Sequence, residues 1–456
     1  MSPFIYPQNK SNHVLRMGGW SPNDSKDSVE WTREFVAKLD SRHAPVDWPK
    51  TIKDLYDLIE STAELRMLAS AMFDEVPTKP PYNKDPLKHR QIRDYTHMLD
   101  CFASIITEYA PKWSKVDYTA GLIGFPFNAI LDWPMATQSG YAFFLKSEVN
   151  EKFKAILNEW RDKVLMTDKS QHVITTKKNG WLCLEALEVI ENDTNVPGVP
   201  PGSFQELFKC DPEGDPEHWG FASWDSFFVR EFSDMNYYRP VAFKNDPKWI
   251  VSSCESKAFA LQKNVKEYDT FWLKGQPYSV AEMLNRHPKA SEFVGGTVYQ
   301  AFLSPSTYHR WNSPVQGKVI YNGIIDGTYF SEPTIFGFNG PDHTPDPAAP
   351  DHAQGYITHV ATRALIIIDA GPPVGLVACI YVGMADVSTI EIKDFQQDQT
   401  VEKGEEIGMF HHGGSTHCLI FQKNTDLVWV PEAMGSDPGA KNLPIRGKLA
   451  YVCNTE

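Results

Sequence analysis

The period of the apolar pattern changes once along the chain, at Val196-Pro197-Gly198-Val199-Pro200-Pro201-Gly202. Before that segment, apolar residues recur at helical spacing: Trp31, Phe35 and Leu39; Ile52, Leu55 and Ile59; Leu65, Leu68 and Met72; Leu99, Phe102 and Ile106; Val149, Phe153, Ile156, Trp160 and Val164. Such stripes place one face of each helix against a core, and Ser25 or Asp24 can cap the first helix. After it, β-branched and aromatic runs recur between turn signals, at residues 296–303, 317–325, 365–368, 376–382, 388–392, 418–421 and 427–430. The two periods exclude each other locally, so the chain is expected to be α+β: a helical N-terminal domain, residues 1–195, then a mostly antiparallel β domain, residues 203–456. The Pro/Gly segment between them reads as a linker. Residues 118–141 are apolar and glycine-bearing, fit neither pattern and stay unassigned.

A length of 456 residues leaves room for two domains, and 42% hydrophobic with 12% aromatic residues is the content of a folded core. The net charge of −14 argues against nucleic acid or an anionic membrane as the main partner. No apolar stretch of signal-peptide length opens the sequence, and no run of about 18 apolar residues occurs, so no transmembrane anchor and a cytoplasmic location are expected. The seven cysteines (101, 183, 210, 254, 379, 418, 453) are odd in number and lack CxxC spacing, which predicts reduced thiols rather than a disulfide framework or a zinc site. Residues 364–385, broken by Asp369, Gly371, Pro372 and Pro373, read as two buried strands joined by a turn. Residues 331–356, rich in Pro, Gly, Asp and His, read either as a binding loop or as a solvated insertion. Their His343 and His352 have no paired spacing, and no metal site is expected.

The chemistry centres on Gly408-Met409-Phe410-His411-His412-Gly413-Gly414-Ser415-Thr416. A serine preceded by glycines can attack the carbonyl of its own preceding peptide, because glycine tolerates the strained backbone this needs. Alone, the triplet reads as a turn. Three further stretches accompany it: Phe227-Phe228-Val229-Arg230 with Arg239-Pro240; Leu273-Lys274-Gly275-Gln276-Pro277-Tyr278-Ser279; and Leu303-Ser304-Pro305 running into Tyr308-His309-Arg310-Trp311-Asn312-Ser313-Pro314 and Gly317. In this order the four stretches resemble the phosphatidylserine decarboxylase family of pyruvoyl enzymes, over roughly residues 200–450. The resemblance implies a β domain of that type and self-cleavage between Gly414 and Ser415. The fragments would be residues 1–414 and 415–456, with Ser415 becoming a covalent pyruvoyl group. That group replaces pyridoxal phosphate as the electron sink for decarboxylation.

The family's cleavage uses a carboxylate–histidine–serine triad. The carboxylate's place falls on Glu255, in Ser252-Ser253-Cys254-Glu255-Ser256, where relatives commonly carry Asp-Gly. His309 matches the first of two family histidines, the one linked to decarboxylation; Asn312 stands where the second is expected. An asparagine amide does not accept a proton at neutral pH. Three readings stand: another histidine (His412, His417 or His309) acts as base; strain and carbonyl polarisation drive slow cleavage; or the chain stays uncleaved as a non-catalytic relative. Met17-Gly18-Gly19-Trp20-Ser21, Gly180-Trp181-Leu182 with Glu185-Ala186-Leu187, Cys254-Glu255-Ser256, Gly383-Met384-Ala385-Asp386-Val387-Ser388-Thr389 and Met409-Phe410-His411 resemble the soluble fungal branch, of the L-tryptophan decarboxylase type found in psilocybin biosynthesis. That resemblance implies a free L-amino acid substrate, tryptophan first. The alternative is a phosphatidylserine decarboxylase acting on lipid.

Overall fold

The structure is a computed structural model. It describes residues 25–76, 92–113, 115–116, 119–120, 126–135, 137–269, 278–331, 354–384, 386, 389–396, 398–413, 415–434 and 441–453. The N-terminal stripes become helices α1 (Ser25–Asp40), α2 (Lys50–Ser61), α3 (Ala63–Glu75) and α4 (Tyr95–Glu108), followed by α5 (Pro126–Met135), α6 (Gln138–Phe144), α7 (Ser147–Trp160) and α8 (Leu184–Thr194). Ile52, Leu55 and Ile59 of α2 are fully buried, as are Val149, Phe153 and Ile156 of α7. Each such side chain contributes about 1.5–3 kcal/mol of burial. The caps follow local chemistry where they exist: the Asp94 carboxylate accepts from His97 N at the start of α4, and Thr137 Oγ accepts from Gly140 N at the start of α6.

The unassigned stretch holds β2 (Thr119–Ala120), which pairs with β1 (Lys115–Val116) just before it, then α5 and the start of α6. Helix α5 opens on Pro126, whose fixed φ suits a first helical position. Its free amides at Phe127 and Asn128 are taken by the carboxylate of Asp386, each at 3.0 Å. The cap therefore comes from the other half of the chain, and no local signal announces the helix.

The C-terminal half is built from β3 (Trp249–Val251), β4 (Lys257–Lys263), β5 (Thr297–Leu303), β6 (Arg310–Asn312), β7 (Gly317–Ile325), β8 (Arg363–Asp369), β9 (Leu376–Gly383), β10 (Thr389–Ile392), β11 (Thr400–Val401), β12 (Glu406–His411), β13 (Ser415–Phe421), β14 (Leu427–Trp429) and β15 (Lys448–Val452). Every pairing among these strands is antiparallel. The seven-stranded sheet runs β11-β7-β8-β9-β13-β5-β4, and two three-stranded sheets run β10-β12-β6 and β14-β15-β3. Strands β5, β9 and β13 are buried along their whole length; β9 reads as an unbroken apolar run, whereas β5 buries Gln300 and β13 buries Ser415, Thr416 and His417 among apolar neighbours. The apolar stretch at 364–385 forms the hairpin β8–β9.

One apolar core lines the sheets. The other fills the helices and continues through Phe204, Phe208, Phe227, Phe228 and Phe232, beyond the Pro/Gly segment. Asn195 bonds Gly202 reciprocally, side-chain N to carbonyl and amide N to side-chain O, both at 2.9 Å, and so fastens the two ends of that segment to each other. All seven cysteines are unpaired. Among the described residues, no helix is long and apolar enough to cross a membrane.

A buried ion pair ties the halves together. Arg239 Nε donates to Glu255 Oε2 at 2.9 Å and Arg239 Nη2 to the Thr194 carbonyl at 2.8 Å, while Ile445 N donates to Glu255 Oε2 at 2.8 Å. Both side chains are essentially inaccessible. Removing one partner strands the other charge, so Glu255→Ala in the uncleaved Ser415→Ala chain is expected to lower stability by about 3–5 kcal/mol in chemical denaturation.

Candidate active site

The site forms where the chain crosses from one sheet to another. Strand β12 ends at His411 in the β10-β12-β6 sheet, and β13 begins at Ser415 in the centre of the seven-stranded sheet. His412 (φ 61°) and Gly413 (φ 103°) both take left-handed backbone. Gly413 does so freely, whereas His412 is held there at a cost of about 1–2 kcal/mol. Gly414 lies outside the described residues. Ser415 pairs with Leu303 on one side and Gly383 on the other. It is fully buried, and its Oγ has no hydrogen-bond partner. A buried hydroxyl with an unmet bond is a poor stabiliser but an unencumbered nucleophile.

Four histidines surround this crossing, in different polar surroundings. His309 is fully buried, stacks on Phe228 with ring centroids 4.0 Å apart, and leaves both ring nitrogens unbonded. Burial, reinforced by the charge of Arg230 and the proximity of His412, holds its pKa well below the ordinary value, so the ring is neutral. His412 Nδ1 accepts the Trp224 indole N–H at 2.6 Å, with Trp160 edge-on at 4.7 Å. His411 lies between Asp225 (2.9 Å) and Glu391 (3.1 Å). Burial opposes its charge, but the bonds and charges of the two carboxylates outweigh that and raise its pKa. His417 lies on the Ser415 face of β13, beside Tyr299 and Tyr381, and has neither ring nitrogen bonded. Burial pushes its pKa down to about 3.

Arg230, equally buried, donates to the carbonyls of Ser306 (2.6 Å) and Thr307 (3.1 Å) and lies over the Phe208 ring. It fixes the turn that carries the chain from β5 into His309. Asp193 of α8 accepts from Ser304 and Ser306 in the same turn.

The remaining motif residues are placed elsewhere. Asn312 stands opposite Glu406, towards the far end of the β6–β12 ladder from His411. Its amide nitrogen side chain donates to the Gly404 carbonyl, and its Oδ1 has no partner. Its main-chain carbonyl accepts from Ser253 Oγ (2.6 Å), which also contacts Tyr381 OH (2.6 Å). Glu255 is engaged by Arg239 and Ile445 N. Thus the crossing gathers His309, His411, His412 and Ser415, with His417 on the Ser415 face. Glu255 and Asn312 form no hydrogen bond to each other or to Ser415. Among the described residues no cluster with metal-ligating character occurs.

Several site residues escaped sequence reasoning: Trp160, Trp224, Asp225, Arg230 and Glu391. Phe228 and Arg230 lay inside a recognised motif without a visible role. Glu391 meets His411 only through the β10–β12 register, in which Thr389 faces His411 and Glu391 is the diagonal neighbour.

Two family models cover most of the chain, both described as phosphatidylserine decarboxylase: one matches residues 49–190, the other residues 224–434. Among curated proteins, the decarboxylase iboD of Amanita muscaria (strain Koide BX008) is 40% identical over 306 residues, 65% of this chain and 84% of that protein. The chain belongs to the phosphatidylserine decarboxylase family. The L-tryptophan decarboxylase of Psilocybe cubensis is 28% identical over 420 residues, covering 90% of this chain and 89% of its own length. The phosphatidylserine decarboxylase proenzyme 3 of Schizosaccharomyces pombe (strain 972 / ATCC 24843) is 31% identical over 208 residues, 45% of this chain and 19% of its own. This family member is a decarboxylase, a carboxy-lyase, and its relatives place it with the fungal branch.

The neutral histidines fix the sign of an acid effect. In the unfolded chain imidazole titrates near 6.5. His417 (to about 3) and His359 (to about 4) bind no proton in the native state until far lower pH. Native stability is therefore full above pH 6.5 and lost as pH falls from there towards the folded values, by about 1.4 kcal/mol per histidine at pH 5.5. His411 acts in the opposite sense: its contribution is present below pH 6.5 and lost as pH rises through its raised value. His417→Gln is expected to flatten the decline of unfolding free energy between pH 7 and 5.5, measured by urea titration.

Proposed function

We propose that this decarboxylase acts on a free aromatic L-amino acid, converting tryptophan to tryptamine, through a pyruvoyl group made from its own Ser415. The observation that carries the reading is the buried, unbonded Ser415 Oγ at the head of a central strand, directly after a left-handed His412–Gly413 step. Relatedness along nearly the whole chain to a protein named L-tryptophan decarboxylase supports the substrate. The relative acting on phosphatidylserine shares less than half of this chain. A cytoplasmic location and a division into domains 1–195 and 203–456 accompany this reading.

The residues fit the chemistry. Ser415 Oγ attacks the Gly414 carbonyl carbon, the Gly414–Ser415 C–N bond breaks, and an ester remains. Loss of the Ser415 α-proton then expels the Gly414 carboxylate from Cβ. Water replaces the nitrogen left on the Ser415 α-carbon, which departs as ammonia, leaving residues 1–414 and a pyruvoyl-headed fragment 415–456. The pyruvoyl ketone supplies the electron sink when substrate amine is bound. The protein's own work is proton handling and exclusion of water. A base for the first step must be neutral and unengaged, which describes His309 and His417 and not His411, held between two carboxylates. His417 shares the Ser415 face and takes the maturation role. His309, pinned against Phe228, serves proton transfer at the substrate carbon. Asn312, bonded to Gly404 and Ser253, keeps the β6 strand in place and needs no titratable group.

Denaturing mass spectrometry is expected to show the fragment 415–456 with an N-terminal pyruvoyl group, and purified protein to release tryptamine and CO2 from L-tryptophan. A chain that stays intact near 51.6 kDa, or one that acts on phosphatidylserine vesicles but not on tryptophan, rejects the reading. His309→Gln should still cleave while kcat falls about 10²–10⁴-fold, whereas His417→Gln should slow cleavage by a similar factor. The reverse pattern would exchange the two roles.

A further inference from the structure

On the face of β13 opposite Ser415, the next residue begins a buried polar chain. Thr416 Oγ1 donates to the Ala301 carbonyl (2.9 Å) and accepts from Gln300 Nε2 (3.0 Å). The same Gln300 nitrogen donates to the main-chain carbonyl of Gln354 (3.2 Å), and the Tyr278 hydroxyl donates to Gln300 Oε1. Gln300 is thus held at both ends of its amide. Gln354 is not. It opens the helix Gln354–Val360 fully buried, and neither its Oε1 nor its Nε2 has a hydrogen-bond partner.

A primary amide carries two donors and an acceptor, and burying all of them unmet is costly. A leucine or methionine would fill the same volume without that cost. The residue is therefore better suited to a bound group than to the core. Aromatic rings lie close by in the fold: Tyr278 bonds the Gln300 side chain, and Tyr356, on the same helix as Gln354 but not on its face, bonds Ser331 Oγ (2.9 Å) with the Tyr141 ring 6.4 Å from its own. The main-chain carbonyl of Gln354 is linked to Thr416 through the single Gln300 amide, which sets the start of this helix beside the residue that follows the reacting centre.

We propose that Gln354 is the specificity-determining residue of the substrate pocket, its Oε1 accepting the ring N–H of an indole side chain. The inference rests on the reading of Ser415 as the reacting centre. A site that hydrogen-bonds a substrate N–H rejects the analogue lacking it, because the protein group is left unpaired. A purely apolar pocket would grade tryptophan, 1-methyltryptophan and phenylalanine by size alone.

The test compares kcat/KM for L-tryptophan and L-1-methyltryptophan. Wild type is expected to prefer tryptophan by about tenfold or more. Gln354→Leu should bring the ratio close to one, chiefly through KM, with release of fragment 415–456 unchanged. Gln354→Glu, which keeps an acceptor oxygen, should retain the preference. An unchanged ratio in Gln354→Leu, or no preference in wild type, overturns the assignment. Should the wild-type chain stay uncleaved, the reading of Ser415 fails on its own, and calorimetry of L-tryptophan with the intact chain replaces turnover. At least tenfold weaker binding by Gln354→Leu then upholds the role of Gln354, while equal affinity or no binding overturns it.

Discussion

The structure depends on how Ser415 is held. It opens a strand bonded on both sides, to β5 and β9, so its backbone has little freedom to drift. The chain just before it must leave a different sheet and enter this one within three residues. Both His412 and Gly413 are left-handed there, and the conformational cost of that crossing falls on His412. Scission at Gly414–Ser415 would free the crossing and leave β13 paired along its length. The small fragment would remain a structural part of the sheet, with its new terminus where the serine had been.

The second constraint is burial. The same low-polarity surroundings that leave Ser415 Oγ unbonded also strip protons from His309 and His417. His411 escapes only because two carboxylates flank it. One environment therefore lowers the pKa of two imidazoles while two carboxylates raise that of a third within a few residues. The helical half contributes to that environment directly. Trp160 ends α7 against His412, and Asp193 of α8 braces the turn leading into His309. The helices thus act as walls of the site, which is why their core continues through residues 204–232.

How much of this was legible follows from where each signal is stored. Long buried runs, as in β5, β8, β9 and the second half of β13, showed in the sequence because most of their residues are apolar or β-branched. The three-residue strands β3 and β6 and the mixed β4 and β15 did not, since neither length nor alternation marks them. Helix α5 was hidden because its cap is Asp386, more than two hundred residues away. In the site, Ser415 and His309 stood out by motif order. Asp225 and Glu391 meet His411 only through tertiary register, which no local pattern encodes. Residues 273–277 of the second motif, and most of the 331–356 segment with His343 and His352, lie outside the described residues.

Asn312 illustrates the limit of motif reasoning. By sequence it marks a missing base, and the maturation chemistry looks incomplete. In the fold it is a strand residue bonded to Gly404 and Ser253, on the far side of a ladder from the crossing. Glu255, its expected partner, is committed to Arg239. Each of the two residues is held in a separate structural contact, Glu255 by Arg239 and Ile445 N and Asn312 by Gly404 and Ser253. Under the proposed maturation, the base is an imidazole whose ring nitrogens the fold leaves unbonded. A histidine at position 312 is not needed if His417, two residues beyond the serine and on the same face, can accept the proton.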